Sequence, residues 1–144
     1  MKTQNFANHT RFVVGFHIIL GGMLTIGGIA SLVNVYLQIT SRDNILESIL
    51  IALLFICGMF LLWFTRQFAV TVQDRAIRAE EGLRFYILTH KALDSKLTKG
   101  QIIALRFAPD DEFLVLADRA VREGLSPREI KQSIKNWRPD HDRA

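Results

Sequence analysis

Cysteine is almost missing from this chain. Cys57 stands alone, so no internal disulfide can form, and no metal-ligand partner lies near it in sequence. That thiol is left a packing role. Charge is missing over long stretches. Residues 12–37 contain no Asp, Glu, Lys or Arg, and residues 45–64 contain only Glu47. The motifs of chemistry are missing too: no Gly-rich phosphate loop, no His/Cys/Asp/Glu cluster at metal spacing and no nucleophile–base set. The residues therefore give no catalytic, cofactor or metal site, and an enzyme is the least supported class.

The uncharged stretches are what the chain has in their place. About 20 helical residues cross a bilayer core ~30 Å thick, and both runs reach that length. A helix is the form in which a single segment satisfies its backbone in lipid. Two buried core helices are the alternative, but runs this long rarely fit inside so small a soluble domain. The first run is also longer than the ~7–15 apolar residues of a signal peptide, and no small-x-small site closes it. It reads as an uncleaved anchor.

Lys and Arg flank the runs unequally. Lys2 and Arg11 precede the first, Arg66, Arg75, Arg78 and Arg84 follow the second, and the link QITSRDN between them holds one Arg and one Asp. This bias puts both ends on the cytoplasmic side. The expected fold class is all-α: a two-helix transmembrane hairpin whose second helix extends into a small cytoplasmic helical domain. Residues 1–11 form a cytoplasmic tail, 12–64 the hairpin with spans at about 12–37 and 45–64, and 65–144 the helical domain. With Lys+Arg 18 against Asp+Glu 14, the charge does not by itself argue for nucleic acid.

A turn centred near Ser41 sets the depth register of an antiparallel pair. Gly27 and Gly28 then lie level with residues 53–55, Gly21 and Gly22 with 59–61, Asn34 with Glu47 or Ser48, and His17 with Thr65 and Arg66. Small residues let helices approach closely in lipid, so Gly21, Gly22, Gly27, Gly28, Ser31 and Gly58 are the candidate packing positions. They can serve the second helix, another copy, or both. His17, Asn34, Glu47 and Arg66 are the candidate polar positions. Glu47 has capping-box spacing from Asn44 and suits the dipole of a first turn. Trp63 and Tyr36 fit interfacial aromatic belts.

Nothing in FTRQFAVTVQDRAIRAEEGLRF, residues 64–85, stops a helix before Gly82. Phe68, Val72, Ala76, Ala79, Leu83 and Tyr86 recur at helical steps of three and four, a one-sided apolar stripe close to a heptad. Asp74 with Arg78 and Glu80 with Arg84 have the favoured acid-first spacing. One helix from about Ile45 to about Leu88 is expected, roughly 65 Å long at ~1.5 Å per residue. Its stripe needs a cover. The favoured cover is the chain's own tail, through Ile103, Phe107, Leu114 and Trp137; the other is the same helix of a second copy.

Three short helices follow. Thr98 caps the first. Asp110 caps the second, which stops at Gly124. Ser126, Pro127 and Glu129 form a capping box for the third, which Pro139 ends. Ile130, Ile134 and Trp137 make the buried face of the last helix, and Arg128, Lys131, Lys135 and Arg138 an opposite basic stripe. Ala120, Gly124 and Ile130 have helix-turn-helix spacing, but any capped helix–Gly–helix corner needs the same letters. Anionic lipid headgroups suit the basic stripe better than nucleic acid does. His9, ahead of the first span, has no partner in sequence.

QNFANHTRF, RQFAVTVQDRAIRAEEGLR, LRFAPDDEF and EIKQSIKNWRPD, taken in order, resemble a family of small bacterial membrane proteins known only as a domain of unknown function. The resemblance spans nearly the whole chain. It implies a two-helix membrane protein of the bacterial inner membrane with a cytoplasmic helical tail, and it brings no activity, cofactor or catalytic residue. Relatives are expected to carry prolines before His17 where this chain has Val14 and Gly15, which predicts a straighter start to the first helix. The function expected is that of a structural or interaction module that self-associates or docks on a larger membrane complex. Membrane lipids and further copies are its expected partners. A homo-oligomeric channel or transporter-like pore is the alternative, and a membrane-tethered nucleic-acid binder the second alternative.

Overall fold

The computed structural model describes residues 4–9 and 12–140; Lys2 and Arg11, used above for orientation, lie outside them. Among the described residues the chain is all-helical, with five α-helices: α1 Gly21–Ser41, α2 Ile45–Thr89, α3 Lys99–Leu105, α4 Asp110–Arg122 and α5 Pro127–Ser133. Two compact units divide it, residues 12–68 on one side and residues 1–11 with 69–144 on the other.

In the first unit, α1 is preceded by a π-helical turn, Gly15–Leu20. Arg42 closes α1 in a left-handed conformation (φ 58°), its N–H donating to Gln38 O. Asn44 is also left-handed, at φ 42°, and not in the extended geometry of an N-cap. The Asn44–Glu47 capping box does not form. The apolar side chains of this unit point outward: Ile26 and Leu54 are each 71% exposed, and among the described residues only Ser31, Ser48 and Ala52 are buried. This is the reverse of a water-soluble helix pair, which turns its apolar faces inward.

Helix α2 is unbroken over 45 residues, about 68 Å at ~1.5 Å per residue. Gly82 does not interrupt it. The helix ends where Thr89 Oγ1 donates to Phe85 O and receives the N–H of Lys91, and where His90 turns left-handed at φ 56°.

The second unit has a conventional core. Leu105, Phe107, Phe113 and Ile130 are fully buried, and Phe85 of α2, Leu114 and Trp137 pack against them. Local letters explain most of its corners. Thr98 and Gln101 form a reciprocal capping box, and so do Ser126 and Glu129 with Pro127 in the first turn. Gly124 adopts φ 66° between α4 and α5, a conformation that costs glycine nothing. Two boundaries differ from expectation. Pro109, not Asp110, is the N-cap of α4 and makes no side-chain cap bond. Helix α5 stops at Ser133, well before Pro139. The Glu112 carboxylate accepts the N–H groups of Lys135 and Asn136 there, at 2.8 and 2.9 Å, and Arg138 N donates to Phe107 O. These bonds satisfy the backbone in an extended path, so further helix gains nothing.

The stripe on α2 is not covered by the tail. Phe68, Val72 and Leu83 are 67%, 68% and 60% exposed, and Ala79 is exposed as well. The tail seats instead against the face that carries Asp74, Ile77, Glu81, Arg84 and Phe85. Remote charges select that face: Lys99 pairs with Asp74 at 3.0 Å and Asp110 with Arg84 at 2.6 Å. The expected pairs of Asp74 with Arg78 and Glu80 with Arg84 are replaced by these longer-range ones.

Candidate functional site

The charged residues of RAEEGLR, LRFAPDD and WRPD meet in the second unit. Arg84 is the centre. Its Nη1 lies 3.0 Å from Glu81, its Nη2 donates to Ala108 O at 2.8 Å, its Nε donates to Asp110 at 2.7 Å, and its guanidinium sits 4.3 Å over the Phe113 ring. Glu81 is buried, 5% exposed, and Arg138 approaches its other oxygen at 4.0 Å. Beside them Arg106 pairs with Asp140 at 3.0 Å and stacks over Phe107. A cavity of about 290 Å³ opens between these groups, lined by Gln73, Ile77, Glu80, Glu81, Arg106, Arg138 and Asp140. Each buried charge faces an opposite one, as burial requires. The arrangement ties α2 to the segments that carry Ala108, Asp110 and Arg138.

The second feature is a clip made by the N-terminal segment. The Gln4 side-chain amide accepts from Asp140 N at 2.8 Å and donates to Asp140 O at 3.3 Å. His9 lies among aromatic rings, with centroids 5.9 Å from Phe6, 5.8 Å from Phe107 and 5.7 Å from Trp137. Its Nδ1 is 2.7 Å from Phe6 O, and its Nε2 is 3.1 Å from Lys131 Nζ. A neutral ring satisfies both, donating from Nδ1 and accepting at Nε2. Spacing along the chain shows no site for His9, because Phe107, Lys131 and Trp137 lie far away in sequence and leave no local signal.

The packing glycines meet large side chains across the hairpin. A methyl added at Gly27 would overlap the Phe55 ring, and one at Gly58 would come within 3.0 Å of Leu24 Cδ2. Gly21 faces Leu62, and Gly28 faces Met59 and Phe55. Gly22 faces open space. Ser31 is buried and donates to Gly28 O. Of the polar positions, Asn34 accepts from Gln38 at 3.4 Å and Glu47 is exposed; no hydrogen bond joins them. His17 turns back on its own segment, with Nδ1 2.9 Å from Val13 O and its ring stacked on Phe12 at 4.6 Å. No hydrogen bond ties it to Arg66. The basic residues do not form one helical stripe: Arg128 and Lys131 are on α5, while Lys135 and Arg138 follow it.

At the corner of α4 and α5 the surface carboxylates are held low. The Arg119 side-chain hydrogen bond lowers the Glu123 pKa, and the Ser126 hydroxyl and N–H lower that of Glu129. Among the described residues no group of His, Cys, Asp and Glu is placed to hold a metal ion.

These features define an all-α protein with two helices long and apolar enough to cross a membrane and a charge-locked helical domain. Residues 1–144 match a family of unknown function (DUF6526), and the chain belongs to that family. No curated protein and no solved structure matches it.

Proposed function

We propose that the protein is a non-catalytic interaction module of a bacterial inner membrane. Residues 12–64 anchor it as a hairpin, and the helical domain stands on the cytoplasmic side, where it self-associates or docks on a larger membrane complex. The carrying observation is the clip. Gln4 and His9 precede the first apolar helix, and their partners Phe107, Lys131, Trp137 and Asp140 follow the second. Segments that bind each other sit on one side of a bilayer, so an even number of crossings separates them. Two crossings are what the two apolar helices supply. The outward apolar surface of residues 12–64 supports lipid as their surroundings. Helix α5, at 7 residues, is too short to serve as a groove-reading helix, which favours lipid headgroups over nucleic acid as the neighbour of its basic residues.

Alkaline carbonate extraction and cysteine labelling test this reading. In a Cys57→Ser background the protein stays in the carbonate-resistant membrane pellet. Ser41→Cys reacts with a membrane-impermeant maleimide added to intact cells, and Ala144→Cys reacts only after lysis. Carbonate-soluble protein overturns the anchor, and the reverse labelling pattern overturns the orientation.

A further inference from the structure

Helix α2 of the second unit has two opposite faces, and the described residues pack on one of them. Asp74, Arg84 and Phe85 are engaged by α3 and α4, Asp74 by Lys99, Arg84 by Asp110 and Phe85 by Phe113, and Ile77 and Glu81 are buried on the same face. On the other side Ala69, Val72, Ala76, Ala79, Leu83 and Tyr86 are all exposed. They alternate in steps of three and four, the a and d positions of a heptad repeat. In that register Asp74 and Glu81 fall at the outermost f position. The face that the tail covers is thus the one a two-stranded coil would leave free. Arg75 falls at g and Glu80 at the following e position. Both are exposed, and no ion pair among the described residues engages either.

We propose that this face binds the same face of a second copy, as a parallel two-stranded seam along residues 69–86, with Arg75 of each copy paired to Glu80 of the other. Three points commit it to a second copy. A g residue meets the e residue of the next heptad across a parallel dimer, and here that pair has opposite signs. Alanine at three of the six seam positions lets identical backbones come close. Copies inserted in one membrane with one topology present α2 in the same direction, as a parallel seam needs; this point rests on the reading of the protein as a membrane hairpin. Confinement to a bilayer also raises the effective concentration of copies, so a seam of modest area suffices.

Disulfide trapping in membranes tests the seam, again in a Cys57→Ser background. A disulfide needs Cα atoms within ~7 Å, which a seam position meets with its own counterpart and an outer position does not. Leu83→Cys is expected to give dimer under mild oxidation, and Arg78→Cys, exposed but off the seam, to give little. Arg75→Glu added to Leu83→Cys should lower the dimer yield roughly threefold, the size of an exposed ion pair made repulsive. Adding Glu80→Arg to that variant should restore the yield. Equal trapping at residues 78 and 83, or a yield blind to the charge changes, overturns the proposal. Absence of dimer in protein that carbonate leaves in the membrane overturns the seam alone; protein that carbonate extracts overturns the anchor.

Discussion

Arg84 shows how far a single side chain can be read from its neighbours in sequence. Helix spacing offers it Glu80, four residues back. In the fold it takes Glu81, Asp110 and a backbone carbonyl instead, because the remote Asp110 comes with the burial of Phe113 beneath the guanidinium. Spacing rules see one helix and weigh pairs of a few tenths of a kcal/mol. A partner delivered by another helix outweighs them. Arg84→Ala leaves the buried Glu81 only the distant Arg138, at 4.0 Å, and breaking a buried pair costs about 3 kcal/mol or more. The expected result is a lower urea midpoint for the loss of helix in the second unit. Arg84→Met combined with Glu81→Met should recover part of that loss, since the carboxylate of Glu81 is no longer buried away from Arg84. If Arg84→Ala leaves the midpoint unchanged, the cluster does not hold the helices together.

At the scale of elements, legibility followed the range of the cause. The two apolar helices, the unbroken run of α2, the cap at Thr98 and the capping box at Ser126 depend on residues within a turn or two, and the sequence shows them; the reciprocal bond from Gln101 at the Thr98 cap is added by the structure. The ends of α4 and α5 do not. Asp110 is drawn away from capping by Arg84, and the carboxylate of Glu112 takes the backbone beyond Ile134 out of the helix. The π-helical turn at Gly15–Leu20 has no signal that we can name. The hairpin register is legible from the shortness of its turn, and it makes a sharp contrast among glycines. Gly27→Leu drives a side chain into Phe55, whereas Gly22→Leu adds one to open space. Overpacking costs about 1–3 kcal/mol, so Gly27→Leu should lower the temperature at which the detergent-solubilised hairpin loses compactness on a native gel, with Gly22→Leu close to the parent. Equal behaviour of the two would mean that Phe55 is not seated at Gly27.

For the whole molecule, what the sequence hid was which parts of the chain meet. The stripe on α2 looked like the face to bury, since it is the apolar one. The tail nevertheless chose the opposite face, where ion pairs and Phe85 complete its core, and left the stripe open. The clip was hidden for a related reason: QNFANH is a short polar segment whose fit becomes visible only beside Trp137 and Phe107. Its contribution can be isolated. His9→Ala with Gln4→Ala removes the two ring contacts to Phe107 and Trp137 and both bonds to Asp140, while the residues of the core stay in place. Aromatic pairs contribute ~0.5–1.5 kcal/mol each beyond their buried area, so the domain should lose on the order of 1–3 kcal/mol without unfolding. In a Trp63→Phe background the remaining Trp137 emission should shift to the red as water reaches the ring, and a protease site introduced at Ala7 should be cut faster. Carbonate resistance, where the proposed anchor holds, should not change, because the two apolar helices are untouched. Unshifted Trp137 emission together with unchanged cutting at Ala7 would mean that residues 4–9 do not rest on this surface, and the argument for an even number of crossings would then stand on the charge bias alone.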